Sequence, residues 1–457
     1  PMLRAASLAR AAELMRARRD ELSAVMIKEA GKTWREADAD TCEAIDFCDF
    51  YARECVRLFS PQRIGRFIGE LDEQWYQPRG VAVVIAPWNF PLAICCGMTV
   101  AALVTGNPVI VKPAEQTPGI AKLMVDILQQ ALRETLSQDP QGSDLATIAG
   151  RLVQFCPAPG ETTGAALVRD ERVALIAFTG SKQVGLHIIQ SASVTPPTQH
   201  HVKKVIAEMG GKNAIIIDTS ADHDEAILGV RHSAFGFQGQ KCSACSRLIV
   251  VDPQGPNGPA ITHFRERIIE ATRALTVGDQ TLPGTDIGPV IDAEAKAKIE
   301  GFITRAKQAG LPCASLPVPD GVEARTGRHY VAPHIFWNVP EQHELAQEEI
   351  FGPVLSIVHA KDFTDALRIA NGVPYKLTGG VFTRKPTNID RARNEYRVGN
   401  LYINRGITGA LVARQPFGGF GMSGVGSKAG GVDYLLQFVE PRAVCENTMR
   451  RGFAPEL

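Results

Sequence analysis

The chain has 457 residues, too many for one ordinary core, so two large domains and a smaller element are expected. Hydrophobic residues make up 45% and charged residues 21%, the balance of a globular protein, and 49 basic side chains offset 49 acidic ones. No overall field therefore favours nucleic acid or an anionic membrane as partner. No apolar run approaches the ~18 residues of a membrane-spanning helix, and the amphipathic start lacks the cleavable apolar segment of a signal peptide. The ten cysteines lie mostly within apolar or helical patterns and form no spaced framework, which points to a reducing compartment, the cytoplasm. Pro1 falls inside what reads as the approach to a helix, so a fragment of a longer polypeptide is expected.

Residues 3–30 place Leu8, Met15, Leu22, Val25 and Met26 at helical spacing among Arg, Asp and Glu. A second helical stretch follows "GKT", with Ala37, Ala44, Ile45, Cys48, Ala52 and Cys55 on one side, the cysteines as small core residues. Residues 60–78 fit neither neighbour and are expected as a projecting hairpin joined by the extreme C-terminus. From about residue 80 the runs "VAVVIA", "PVIVK", "RLVQF" and "VALIAF" read as strands covered on both faces, separated by helices such as "GIAKLMVDILQQAL". The pattern resumes after Glu208 with "NAIIID", "SRLIVV", "GPVLSIV", "GGVFT" and "NLYIN". Such alternation predicts α/β domains with parallel sheets, meeting near 208–212. "SQDPQGSD" (137–144) and "SVTPPTQHH" (193–201) read as surface loops.

The chemistry centres on "GQKCSACSR" (239–247). A structural zinc site generally needs two CxxC pairs, and no second pair exists; His200 and His201 lie in a distant loop. A thioredoxin-like redox pair lacks its small-domain context. A nucleophile remains, and it needs a base and an oxyanion site. Glu208, ending an apolar strand against two glycines in "AEMGGKN", is the candidate base, its pKa raised by desolvation; a solvated strand-end carboxylate is the plainer alternative. In "PWNFP" (87–91) the Asn89 amide can donate to a developing oxyanion. Lys112 and Glu115 of "KPAEQTP" follow a strand and suit ribose hydroxyls, Glu115 disfavouring a 2′-phosphate. Gly180 and Ser181 of "FTGS" open a helix and would face a pyrophosphate, although the chain has no GxGxxG.

Taken in order, "PWNFP", "KPAEQTP", "FTGS", "EMGGKN", "GQKCSACSR", "EEIFGPV" and "PFGGFGMSG" resemble the aldehyde dehydrogenase superfamily over nearly the whole chain. The resemblance implies a Rossmann-type NAD-binding domain (1–59 and 79–208), an α/β catalytic domain (209–440) and an oligomerisation element (60–78 and 441–457). It makes Cys242 the nucleophile, Cys245 a neighbour, Glu208 the base and Asn89 the oxyanion donor, with no metal. It implies NAD as cofactor, bound by Ile85, Pro87, Trp88, Lys112, Glu115, Phe178, Gly180, Ser181, Gly210, Glu349 and Phe351.

"GQKCSACSR" with "NLYINRGITGALVARQPFGGFGMSG" (400–424) resembles the branch that oxidises L-glutamate γ-semialdehyde in proline catabolism. Backbone N–H groups at Gly409 and Ala410 and the Ser243 hydroxyl suit a small-molecule carboxylate, and Phe90 and Phe417 its aliphatic part. Glu43 matches a family position near the substrate entrance, and Lys241 beside the nucleophile can act through its charge. The family's glycine-rich turn before "FTGS" reads here as "PGETTG" (159–164), and its amino-terminal segment is missing. That is compatible with a fused or associated FAD-dependent proline dehydrogenase, and a homo-oligomer is expected. Another ω-semialdehyde dehydrogenase, or a catalytically silent NAD-binding member, is the competing expectation.

Overall fold

The computed structural model describes residues 1–138 and 143–449. The first helical region divides in two, Met2–Ala17 and Arg19–Ala30, broken at Arg18 and closed by Gly31 in the left-handed region. The second is the single helix Trp34–Leu58. Its inner face carries Ala37, Ala44, Cys48 and Cys55 with almost no exposure, so helices meet there through small side chains, with the large Tyr51 buried on the same face. All ten cysteines are unpaired thiols.

Two sheets follow. In the first, the strands run in the order 424–425, 204–208, 173–179, 81–85, 109–112, 153–155. All are parallel except the two-residue edge Gly424–Val425, which pairs antiparallel with Glu208 and Ala207. In the second, the order is 313–315, 334–336, 354–360, 245–251, 213–217, 378–382, 400–403, with only the edge 313–315 antiparallel. Central strands such as Val81–Ile85 and Asn213–Ile217 are buried on both faces, which is why they read as unbroken apolar runs. The edge strand 313–315 and its neighbour 334–336 are three residues each and carry no such run.

"RLVQF" splits, because Arg151 and Leu152 finish the helix Ser143–Leu152 and only Val153–Phe155 pair as a strand. The expected loop 137–144 is bounded by helix ends at Ser137 and Ser143; residues 139–142 between them lie outside the described residues. Residues 60–78 form a short strand, Gln62–Arg63, and a long one, Glu70–Pro78, the latter antiparallel to Val439–Asn447. Phe67 (68% exposed) and Ile68 (93%) stand at its tip. Residues 450–457, expected in the same element, lie outside the described residues.

The chain crosses from the first sheet to the second over residues 209–212. Glu208 therefore ends a strand of one sheet while Asn213 begins a strand of the other. The carboxyl edge of the first sheet faces the amino edge of the second there, and ligand crevices form at such edges. Near the C-terminus the chain returns: Tyr434, Leu435 and Phe438 join the core of the first sheet, where Tyr434 stacks on Tyr51 with ring centres 5.7 Å apart.

A fully buried arginine anchors the crossing. Arg247 donates through Nε to Lys212 O (3.0 Å), and through Nη1 and Nη2 to Ile369 O (3.1 Å) and Ala370 O (3.0 Å). It thus caps the C-terminus of the helix Phe363–Asn371 from within the protein. Ile369 O also accepts from Gly372 N (3.1 Å), so replacing Arg247 with Met leaves Lys212 O and Ala370 O without these donors, an expected loss of about 2 kcal/mol or more. A thermal-denaturation midpoint unchanged from the parent would contradict this.

Candidate active site

The loop that carries Cys242 begins where the helix His223–Phe235 ends. Phe237, Gln238 and Gly239 all take positive φ (47°, 57° and 66°), which swings the chain sharply toward the first sheet. A Cβ on Gly239 would run into the Gly352 carbonyl, so glycine is required for space as well as conformation. Cys242 follows, half-buried, and Cys245 begins the strand Cys245–Val251. Cys245 is enclosed in the core of the second sheet, its thiol donating to Arg247 O at 3.3 Å. The two cysteines therefore occupy different environments. Among the described residues, the three side chains grouped with metal-binding geometry, Glu70, Asp72 and Cys445, lie on the projecting arm.

Cys242 opens onto a cavity of about 340 Å³ that Glu208 also lines. Ser243 and Lys241 flank the thiol, and Phe90 and Phe417 supply aromatic walls. Gly409 and Ala410 lie across the same cavity, and Glu43 reaches it from the long helix. All seven residues expected to contact substrate are thus brought together. Lys241 is not solvated: it forms an ion pair of 2.7 Å with Glu36, about two helical turns before Glu43. Glu36 lines the cavity as well, and no motif in the sequence singles it out.

The electrostatics follow from burial. The Glu208 carboxyl is pushed up to about 8, chiefly by desolvation, against a hydrogen bond from Gly419 N (3.2 Å) and the charge of Lys428. Burial likewise lifts Glu43 to about 8, reinforced by the nearby Asp40. The Cys242 thiol is pushed up to about 12 by burial and then by the negative charges of Glu349 and Glu208, while the N–H groups of Ser243 and Cys242 act in the opposite direction. Asn89 is buried and donates to Gln240 O at 3.1 Å, fastening the loop just before Cys242.

A second set of residues lies at the carboxyl edge of the first sheet. Glu349 accepts from Gly211 N (2.9 Å), and a Cβ on Gly210 would run into its carboxylate, so Gly210 leaves space for that group. Phe351, at φ 60°, meets Trp88 edge-on at 5.5 Å, beside the buried Pro87 and the strand-end Ile85. Lys112 donates to Pro113 O (2.9 Å) and to Glu115 Oε1 (3.3 Å), and that same oxygen accepts from Gly160 N (2.6 Å). "PGETTG" folds as one wide helical turn, Gly160–Gly164, with Gly164 packed on the Lys112 stem. Ser181 caps the helix Lys182–Ala192, accepting from Val184 N (3.3 Å). Gly180 donates to Glu208 O (3.1 Å). Phe178 lies beneath this turn in the core of the first sheet, so close that a Cβ on Gly180 would come within 2.6 Å of its ring.

A buried thiol with N–H groups beside its sulfur and a carboxyl in the same cavity is a set suited to covalent addition at a carbonyl, followed by hydrolysis. The family model described as the aldehyde dehydrogenase family matches residues 1–444. A protein named 1-pyrroline-5-carboxylate dehydrogenase from Geobacillus kaustophilus (strain HTA426) is 44% identical over 446 residues, 98% of this chain and 82% of that protein. Proline utilization A from Bdellovibrio bacteriovorus superimposes with a TM-score of 0.90 at 48% identity, covering 100% of this chain and 45% of that longer one. A Thermus 1-pyrroline-5-carboxylate dehydrogenase with bound NAD gives a TM-score of 0.87 at 43% identity, over 98% of this chain and 82% of that one. The chain belongs to the aldehyde dehydrogenase family.

Proposed function

We propose that the protein oxidises L-glutamate γ-semialdehyde, the open form of Δ1-pyrroline-5-carboxylate, to L-glutamate with NAD. The observation that carries this reading is that one cavity is lined by Cys242 and Glu208 together with the Gly409–Ala410 loop. Near-full-length identity to proteins named for this activity supports the substrate.

The Cys242 thiol gives its proton to water and adds as thiolate to the aldehyde carbon, and the carbonyl pair moves to oxygen, where the Cys242 N–H and the Asn89 amide receive it. NAD supplies the hydride acceptor that turns this adduct into a thioester. Glu208, in its ionised form, takes one proton from water as the water oxygen attacks the thioester carbon; the adduct expels the Cys242 thiolate, and the product acid gives its remaining proton to solvent to become the carboxylate. Phe90 and Phe417 exclude water from the aliphatic chain, while Gly409, Ala410 and Ser243 hold the distal carboxylate. Lys241 and Glu43 set the field around it.

The residues at the sheet edge fit a dinucleotide. The Glu115 carboxylate is exposed beside Lys112 and suits a free 2′-hydroxyl rather than a 2′-phosphate. The N-terminus of the helix Lys182–Ala192, with Gly180 and Ser181, suits the pyrophosphate. Glu349 and Phe351, with Ile85, Pro87, Trp88 and Gly210, suit the nicotinamide half, and Phe178 supports the turn from below. In this reading residues 1–59 and 79–208 are the NAD-binding unit and 209–440 the catalytic unit. The arm, 60–78 with 441–457, joins copies of the chain through its exposed apolar tip. An FAD-dependent proline dehydrogenase, fused or associated, supplies the substrate in the cytoplasm; the likeness to proline utilization A supports that partner. Among the described residues no helix is long and apolar enough to cross a membrane.

The testing experiment is NADH formation with Δ1-pyrroline-5-carboxylate, beside succinate semialdehyde and propanal. Strong preference for the first, with activity lost in Cys242→Ala by about a thousandfold or more, is the expected outcome. Preference for the simple aldehydes would overturn the substrate. Because Glu208 acts as a base only when ionised and its pKa lies near 8, steady-state turnover should rise with pH through that value and then level. Glu208→Gln should leave a first-turnover burst of NADH followed by a slow, pH-insensitive phase. A Gln variant with the parent's steady-state rate and profile would remove Glu208 from the hydrolytic step.

A further inference from the structure

Asn213 is 3% exposed and begins a strand of the second sheet, where the pairing register shifts between Asn213 and Ala214. Such an irregularity re-aims a side chain at a strand end. Its Nδ2 donates to Cys242 O (2.7 Å) and to Ala244 O (2.9 Å), and its Oδ1 accepts from Thr378 N (3.0 Å). Two carbonyls on one side and one N–H on the other fix the orientation of the amide. The approach depends on Gly211, where a Cβ would lie 2.6 Å from both Asn213 Oδ1 and Cys242 O.

The consequence lies on the opposite side of the peptide. A trans peptide is planar, so its C=O and N–H point in opposite directions. Holding Cys242 O against Asn213 turns the Ser243 N–H away from Asn213, and that N–H acts on the Cys242 sulfur. The preceding peptide is held similarly, since Ala244 N donates to Lys241 O at 3.0 Å. Thr378 Oγ1 donates to Ser243 O (3.3 Å), extending the row of held carbonyls by one residue.

Building on the assignment of Cys242 as nucleophile, we infer that Asn213 is a positioning residue, aiming the Cys242–Ser243 peptide so that the Ser243 N–H faces the reacting sulfur. It touches neither substrate nor cofactor in this role. Its contribution is to favour the thiolate against burial and against the charges of Glu208 and Glu349, which all oppose it.

The test follows alkylation of Cys242 by iodoacetamide against pH, with peptide mapping of the labelled thiol and with rates normalised to titrated active sites. In Asn213→Ala the per-site alkylation rate near neutral pH should fall about tenfold and its pH profile move upward, because less thiolate is present. The first-turnover NADH burst should fall in parallel, while NAD affinity and the substrate KM stay within about threefold. Asn213→Ser, whose hydroxyl can still donate to one carbonyl, should recover part of the loss, and it decides the matter if the alanine variant does not fold. Unchanged per-site rates and pH profile, with only a lower melting temperature or fewer active sites, would make Asn213 purely structural and overturn the inference. Failure of the underlying reading looks different: iodoacetamide would label another cysteine in the parent, or Cys242→Ala would keep its turnover.

Discussion

Everything at the site depends on one junction, the four residues between Glu208 and Asn213 that carry the chain from one parallel sheet to the other. Parallel strands gather their ends at a common edge, and here the carboxyl edge of one sheet meets the amino edge of its neighbour. Gly210 and Gly211 make the meeting close enough. The first leaves space for the Glu349 carboxylate, and the second for the Cys242 carbonyl. Buried Arg247 then ties the junction to a helix terminus deep in the second sheet's layer. A side chain at either glycine would separate groups that have to act within one cavity.

That closeness sets the protonation states. Glu208, Glu43 and the Cys242 thiol are all shifted upward, with desolvation the leading cause in each case. A site so shielded holds its acids neutral until something supplies compensating charge or hydrogen bonds. Backbone N–H groups can do this without mobile counter-charges and with no reorganisation during the reaction. The pinned loop around Cys242 is therefore part of the electrostatics as much as of the shape. The ion pair of Lys241 with Glu36 buries two opposed charges in the wall of the same cavity, one residue from Cys242.

Much of this was legible in the sequence, because motifs at strand ends are short and local. "VAVVIA" followed by "PWNFP", and "KVIAE" followed by "MGGKN", locate a strand and its terminal chemistry together. What stayed hidden was partnership over distance. Glu36 reads as one more charged residue on a helix, and only folding brings it to Lys241, 205 positions later. Asn213 reads as the first letter of an apolar strand, and its bonds to Cys242 and Ala244 depend on a register shift that no pattern displays. Phe178 belongs to a quoted motif yet lies in the core, because strand alternation decides which face a residue takes. The three-residue strands at 313–315, the sheet's edge, and 334–336 beside it give no sequence signal, because so short a run carries no periodicity.

The returning segment near the C-terminus bears on how the molecule is assembled in time. Gly424–Val425 complete the edge of a sheet whose other strands lie before residue 209, and Gly430 donates to the hydroxyl of Tyr51 at 2.8 Å. Gly419, which holds the Glu208 carboxylate, belongs to the same late stretch. Contacts this distant along the chain close slowly, since the intervening loop entropy has to be overcome first. On the ribosome the first sheet is synthesised early but waits for residues made more than two hundred positions later to cover its edge and its carboxylate. Cys242 and Glu208 are consequently enclosed in their final setting among the last events of folding, so a partly made chain carries both side chains without the contacts that complete the cavity around them.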